Sequence, residues 1–536
     1  MIGYAPHSTL ADAAFVRENQ MALSTEQVPS PVKPVRDAGV LLHPTSLPGH
    51  HGMGDIGAIA RLFIDWLESA GLGAWQVLPL NPTGNNCPYV CWSAFAGNPM
   101  LVDLMGLAEE GLLDRSDVEQ GLPHTPLIDY EAVHAYKEPR LERAAKKLLE
   151  HPKHPLFAEY QAFRKSEAEW LDDAVLFWVI KQKNAGKAWW DWDKKLRDRD
   201  PEALDTVRQT YAKDIDRQAA IMFFFDHQWA KLRAYAKKRN IKIIGDLPIY
   251  VDRDSVDVWS NRKLFQLNEE GIPFSVSGVP PDYFSKLGQL WGNPLYDWKA
   301  MAKEDFTWWW ARIRRVLAHT DIVRIDHFRA FAAYWAIPHG SPDARSGEWV
   351  EGPGIAFFDA LKRHGGELPL IAEDLGIIDD AVVNLRKGAG LPGMRVLQFG
   401  FGGDAENTHL PHNHEVDNVV YPGTHDNDTT VGFFRAAEPQ VRAHVQRYLR
   451  VNGHDIAWDF IHAAFASVAR TAIIPMQDVL SLGTEARMNN PAIVKGNWRF
   501  VLQGHAFRPE LAARLREFAE LYDRLAKPPT AAKESP

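Results

Sequence analysis

Short apolar runs closed by Gly, Pro or a polar residue recur along the chain, alternating with stretches whose apolar positions step by three and four. Eight of these runs read as strands: Val40 to His43, Trp75 to Leu80, Ile243 to Asp246, Ile322 to Asp326, Leu368 to Glu373, Arg395 to Phe399, Asn418 to Tyr421 and Thr471 to Pro475. Between them, Phe225, Trp229, Leu232 and Ala236 line up as one apolar helix stripe, and Ile59 to Ala70 forms another that stops at Gly71. Eight strands alternating with helices predict an α/β fold, a (β/α)8 TIM barrel closed by a parallel sheet.

Two connections are too long for simple strand–helix turns. The first holds charged helical stretches from Glu131 to Lys147 and from Phe157 to Lys183, so a mostly helical subdomain is expected to be inserted over about 101–220. The second, about 251–320, is rich in Gly, Pro and aromatics and is expected to arch over the barrel mouth as a lid. Residues 1–35 then form an N-terminal extension, 36–526 the barrel with its inserts, and 527–536 a Pro-, Ala- and Ser-containing flexible tail.

Composition narrows the partners. A hydrophobic share of 46% permits a large core without metal or disulfide staples, and a net charge of -9 argues against phosphate-backbone binding, so no nucleic-acid partner is expected. The first 35 residues build no apolar signal-peptide core, and no run reaches membrane-spanning length; a cytoplasmic protein without a membrane partner is expected. Cys87 and Cys91 are too few for a disulfide framework and read as free thiols of a reducing compartment. With 19 Trp, 14 Tyr and 26 Phe the chain could stack on sugar rings, although an aromatic core explains the same counts.

Barrel enzymes carry their chemistry at the C-terminal strand ends, which draws attention to Asp246, Asp326, Glu373 and the pair His425-Asp426. The strand period of two sends Arg324 and Asp326 to the same side, where the guanidinium is expected to lower the pKa of the carboxyl and orient it; a barrel-filling ion pair would look the same. Glu373 ends the following strand, and two carboxyls on neighbouring strand ends can stand about 5 Å apart, as retaining glycoside chemistry requires. A helix N-cap is the competing role there, better suited to Asp374. In Thr424-His-Asp-Asn-Asp428, sugar binding competes with Asx-turn chemistry, the latter accounting well for Asn427 and Asp428. His43-Pro44-Thr45 lacks the paired histidines of a metallohydrolase, and no catalytic metal is expected.

Longer motifs sharpen the reading. Gly39-Val-Leu-Leu-His43-Pro-Thr-Ser-Leu-Pro48, Trp75-Gln-Val-Leu-Pro-Leu80, Ser93-Ala-Phe-Ala-Gly-Asn-Pro99, Gly245-Asp-Leu-Pro-Ile-Tyr250, Gly278-Val-Pro-Pro-Asp-Tyr-Phe284, Trp291-Gly-Asn-Pro-Leu-Tyr296, Val323-Arg-Ile-Asp-His-Phe-Arg329, Ala372-Glu-Asp-Leu-Gly376 and Gly423-Thr-His-Asp-Asn427 span most of the chain. Together they resemble the amylomaltase, or disproportionating-enzyme, family of 4-α-glucanotransferases. The resemblance implies Asp326 as nucleophile, Glu373 as acid/base and Asp426 as the third carboxylate steadying the ring at the cleaved bond. It implies Arg324, His327, His425 and Asp246 as partners around that ring, Tyr283 and Phe284 as an aromatic lid over the acceptor, Trp291 as a subsite aromatic and Tyr89 as part of a glucan-binding surface.

The implied substrates are maltooligosaccharides and other α-1,4-glucans, with no cofactor. Two stretches depart from the family pattern: Asn85 to Trp92, with its two thiols and Val90, and His339 to Gly347. An α-amylase-like hydrolase would share the carboxylates but ordinarily appends a C-terminal β-sandwich, for which too little chain follows Pro475. A non-catalytic glucan-binding protein would explain the aromatics without needing both Asp326 and Glu373.

Overall fold

The computed structural model describes residues 36–281, 285–493 and 495–527. The expected extension over 1–35, the tail from 528 and the two lid aromatics Tyr283 and Phe284 lie outside those residues.

Eight strands form one sheet: β1 (Asp37–Leu41), β2 (Ala74–Gln76), β3 (Lys242–Leu247), β4 (Ile322–Ile325), β5 (Leu370–Ala372), β6 (Gly393–Val396), β7 (Asn418–Tyr421) and β8 (Thr471–Pro475). Their order in space is β6-β7-β8-β1-β2-β3-β4-β5, every pairing is parallel, and helices fill the connections. The free edges meet where Ala372 N–H donates to the Pro392 carbonyl at 2.9 Å and Met394 N–H donates to Asp374 Oδ1 at 2.6 Å. The result is the expected (β/α)8 barrel. Buried on both faces, its strands carry near-continuous apolar runs, such as Ile243 and Ile244 at 0–1% exposure and Val419, Val420 and Tyr421 at 0–2%.

Apolar content located the strands better than their ends. The last two expected strands match, whereas the run from Trp75 leaves the sheet after Gln76 and the run from Arg395 begins earlier, at Gly393, and tightens after Val396 into a 3-10 turn. An apolar residue past the last ladder bond looks the same in sequence as one inside it. The first helix, Ala58–Ser69, ends as expected where Gly71 takes φ +68°.

Between β2 and β3 run several helices, among them Tyr130–Glu150, Pro155–Ser166, Ala168–Lys183 and Ala212–Lys238. The stretch expected as one helix from Phe157 to Lys183 is broken after Ser166, where Glu167 begins a second segment. On Ala212–Lys238 the stripe of Phe225, Trp229, Leu232 and Ala236 is buried, at 0–1% exposure.

The region 251–320 is more divided than a single arch. Its strands Ser275–Val279 and Gln289–Pro294 join Ala333–Pro338 and Glu348–Glu351, from the β4–β5 connection, in a four-stranded antiparallel sheet. Its last part, Thr307–His319, is instead a helix packed on β3 and β4, with buried Trp309 set among Tyr296, Trp298, Phe331 and Phe357, so the arch does not extend to residue 320.

At the opposite, N-terminal end of the barrel, the fully buried Arg524 reaches in behind the terminal helix Pro509–Leu521. Its guanidinium donates to the carbonyls of Phe465, Ser467, Ala469, Arg470 and Asp37 at 2.8–3.1 Å. No helix among the described residues is long and apolar enough to cross a membrane.

Candidate active site

Strand register assembles the site. Asp246 pairs with Arg324 across β3 and β4, and Ile325 pairs with Ala372 across β4 and β5, which brings Asp326 and Glu373 side by side one residue beyond the ladder. Glu373 N–H donates to the Ile325 carbonyl at 3.0 Å, and Asp326 N–H to that of Leu247 at 3.0 Å, fixing both backbones at the barrel mouth.

His327 then turns left-handed, with φ 50° and ψ 48°, an uncommon conformation for a residue with a β-carbon. The turn aims its N–H at Glu373 Oε2, 2.6 Å away, while Leu375 N–H donates to Oε1 at 3.0 Å. Both oxygens of Glu373 are thus held by backbone rather than by a flexible side chain.

Arg324 is the cation at the centre. One amino group donates to both oxygens of Asp246 at 2.8 Å, the other lies 3.0 Å from Asp326 Oδ1, and Nε faces the Met394 sulfur at 3.4 Å. The expected lowering of the Asp326 pKa does not follow. Burial pushes its carboxyl up, Arg324 opposes, and the like charges of Asp246 and Asp426 add to the rise, leaving it at about 7. Shared with Asp246, one guanidinium cannot offset both effects. Glu373 is pushed well above the usual carboxylate range, first by burial and then, against Arg324, by Asp326.

The third carboxylate comes from the loop after β7. His425 Nε2 lies 3.3 Å from Asp426 Oδ2, and the Asp426 side chain is the most open of the group at 42% exposure. Its neighbours bond within the loop but not as Asx turns: Asn427 Oδ1 reaches back to accept from the N–H and hydroxyl of Thr424, and Asp428 accepts from Thr429 N–H and from the Thr484 hydroxyl. Asp374 is no helix cap, that role falling to Asp379; it holds Met394 N–H and pairs with Arg386 and Arg395, tying β5 to β6.

Aromatics wall the cleft. Tyr89 donates its hydroxyl to Asp246 and stacks on His425 with centroids 5.3 Å apart, so it lies against the carboxylate group itself. Trp291, 38% exposed, stands edge-on to His327 at 4.8 Å. Burial drives His327 down to about 3, and lowers His425 as well against the pull of Asp426. Both are therefore neutral rings near pH 7. Cys87 is half-buried and Cys91 buried, both free.

Residues beyond β8 also reach the site, unanticipated from the sequence. Asn489 Nδ2 donates to Asp426 Oδ1 at 2.6 Å, Asn489 N–H to the His425 carbonyl at 3.0 Å, and Arg487 to the Asp426 carbonyl at 2.6 Å. Trp498 lies against both Tyr89 and His425, at 5.7 and 6.0 Å. The polar run Arg487 to Asn490 follows no strand closely, and nothing in its pattern points to a carboxylate some sixty residues upstream.

A family model described as 4-alpha-glucanotransferase matches residues 42–506. The 4-alpha-glucanotransferase of Thermus thermophilus is 46% identical over 499 residues, covering 91% of this chain and 99% of the relative. A chloroplastic/amyloplastic 4-alpha-glucanotransferase of Arabidopsis thaliana is also 46% identical, covering 91% and 86%. Among solved structures, the amylomaltase of Streptococcus agalactiae in complex with acarbose superposes with a TM-score of 0.87 at 37% identity, over 91% of this chain and 99% of that one. The chain belongs to the 4-alpha-glucanotransferase family.

Proposed function

We propose that the protein cuts an α-1,4 bond in a maltooligosaccharide and passes the freed glucan to the hydroxyl of another, with Asp326 as nucleophile and Glu373 as acid/base. The observation that carries this reading is the side-by-side pair itself: two carboxyls beyond registered positions of adjacent strands, one touching a guanidinium and the other held by backbone N–H groups. Adjacent strands lie about 4.8 Å apart, which suits the roughly 5 Å separation of a retaining pair. Direct contact with Arg324 favours the anion on Asp326, so the proton resides on Glu373.

In the first step a carboxylate oxygen of Asp326 attacks the anomeric carbon while Glu373 protonates the departing glycosidic oxygen. This leaves a glucosyl ester on Asp326 and an ionised Glu373. In the second, Glu373 takes the proton of an acceptor hydroxyl, that oxygen attacks the same carbon, and Asp326 is released. Asp426, steadied by Asn489, binds ring hydroxyls whose grip tightens as the ring flattens. Arg324, His327, His425 and Asp246 line the same ring, Tyr89 and Trp291 pack against it, and Tyr283 with Phe284 serve as the lid that favours a bound acceptor over water. The two free thiols fit a reducing, cytoplasmic setting.

Maltotriose supplied as sole substrate should yield glucose together with maltotetraose and longer chains. Asp326→Asn and Glu373→Gln should each lower turnover by at least ~100-fold. Glucose and maltose without longer products would mark a hydrolase, and undiminished turnover in either variant would remove the assigned chemistry.

A further inference from the structure

The antiparallel sheet beside the barrel mouth carries Trp291 on one edge strand and, on the other, Trp349, an indole 41% exposed. Exposure alone says little, but this ring is held unusually firmly. The Arg329 guanidinium sits 3.8 Å from its centroid, and Trp335, its cross-strand partner, packs edge-on at 5.1 Å. Arg329 is itself only 4% exposed; it donates to the Ile377 carbonyl and has Asp379 at 3.6 Å. A cation buried beneath an exposed indole fixes one ring face and leaves the other for a ligand.

The position of that cation ties the ring to the chemistry. Arg329 stands three residues beyond Asp326, and Ile377, half exposed, four beyond Glu373. Trp349 is therefore anchored, through Arg329, on the two segments that lead away from Asp326 and Glu373. Because the acid/base protonates the departing oxygen and later receives the acceptor's proton, leaving chain and acceptor both extend to the side of Glu373.

We propose that Trp349, backed by Arg329, is a stacking platform for a distal glucose unit of the leaving or acceptor α-1,4-glucan, favouring long chains over short ones. The proposal rests on the glucan-transfer reading. A flat apolar face matches the C–H face of a pyranose ring, and loss of one such contact is worth about tenfold in affinity.

The test compares self-disproportionation of maltotriose and maltoheptaose by the full chain. Trp349→Ala should raise KM for maltoheptaose about tenfold, leave KM for maltotriose and both kcat values within twofold, and be largely rescued by Trp349→Phe. Should Trp349→Ala melt early, Trp349→Leu, which covers Arg329 without offering a flat face, carries the comparison. Equal changes for both substrates, no change for either, or an altered oligomeric state with unchanged KM would overturn the proposal. A wild-type protein transferring nothing would instead sink the glucan-transfer reading.

Discussion

At the scale of single residues, the site turns on four carboxyls around one guanidinium. Asp246, Asp326 and Glu373 were legible because an acid ending an apolar run is conspicuous, Asp426 because it stands in a dense polar loop, and period two puts Arg324 and Asp326 on one side. Their electrostatics were not, since the pull of Arg324 on Asp326 depends on how many other anions it serves, and Asp246 binds it with both oxygens. A pH prediction follows from that sharing. In the proposed reaction Asp326 must be ionised to attack, so the acid limb of kcat/KM should report its ionisation, held up at about 7 by burial and, against Arg324, by Asp246 and Asp426. Asp246→Asn removes one like charge and releases the guanidinium toward Asp326, and both changes lower the Asp326 pKa. The acid limb should move to lower pH while kcat/KM falls, because Asp246 also belongs to the proposed ring site. A pH–rate profile with the limb unmoved, or moved upward, would refute the electrostatic account.

Among elements, what was readable from apolar spacing was which stretches pack inward; what was not was where they break and what else holds them. The helices between β2 and β3 are pinned by a buried His227 on Ala212–Lys238, set between Glu159 of Pro155–Ser166 at 3.1 Å and Glu110 at 2.8 Å. No local pattern relates positions so far apart. Burial alone would push His227 down, but its two carboxylate hydrogen bonds outweigh that and raise it. Burial also raises the half-buried Glu110, yet His227 and Lys231 bring it down to about 2. With a folded pKa above its ordinary 6.5, His227 contributes stability that is complete below that value and fades as pH rises through the folded one. Glu110's contribution is complete above its ordinary 4.5 and fades as pH falls toward 2. The cluster is therefore strongest between about pH 4.5 and 6.5. At pH 5.5, His227→Gln should cost about 3 kcal/mol, the scale of breaking a buried ion pair. Its stability should also fall less steeply than wild type between pH 6 and 8 in denaturant titrations; parallel curves would show that the histidine does not titrate in the fold.

For the whole molecule, the barrel separates chemistry from closure. The proposed catalytic carboxyls occupy the C-terminal strand ends, while Arg524 closes the other end, turning a guanidinium on carbonyls around the starts of β1 and β8. A lone arginine near the end of the sequence gives no hint of this, because its partners are main-chain atoms brought together only by the closed sheet. With no carboxylate within ion-pair distance among the described residues, Arg524 is held by hydrogen bonds; the Phe465 and Arg470 carbonyls also accept from Arg36 and from Asp37 N–H, while those of Ser467 and Ala469 rely on the guanidinium. Arg524→Met fills the space but satisfies none of them, and should destabilise by at least ~3 kcal/mol. Arg524→Lys keeps the charge but not the planar fork, and should recover only part of that loss. The site lies at the far end of the strands, so the kcat and KM of the folded fraction should change by less than twofold at temperatures well below melting. Denaturant titration and initial rates on the same preparations test both halves. A Met variant as stable as wild type would mean that water or a local shift serves those carbonyls. A stable variant with impaired turnover would mean that the two ends of the barrel are coupled through the strands, against the separation argued from their geometry.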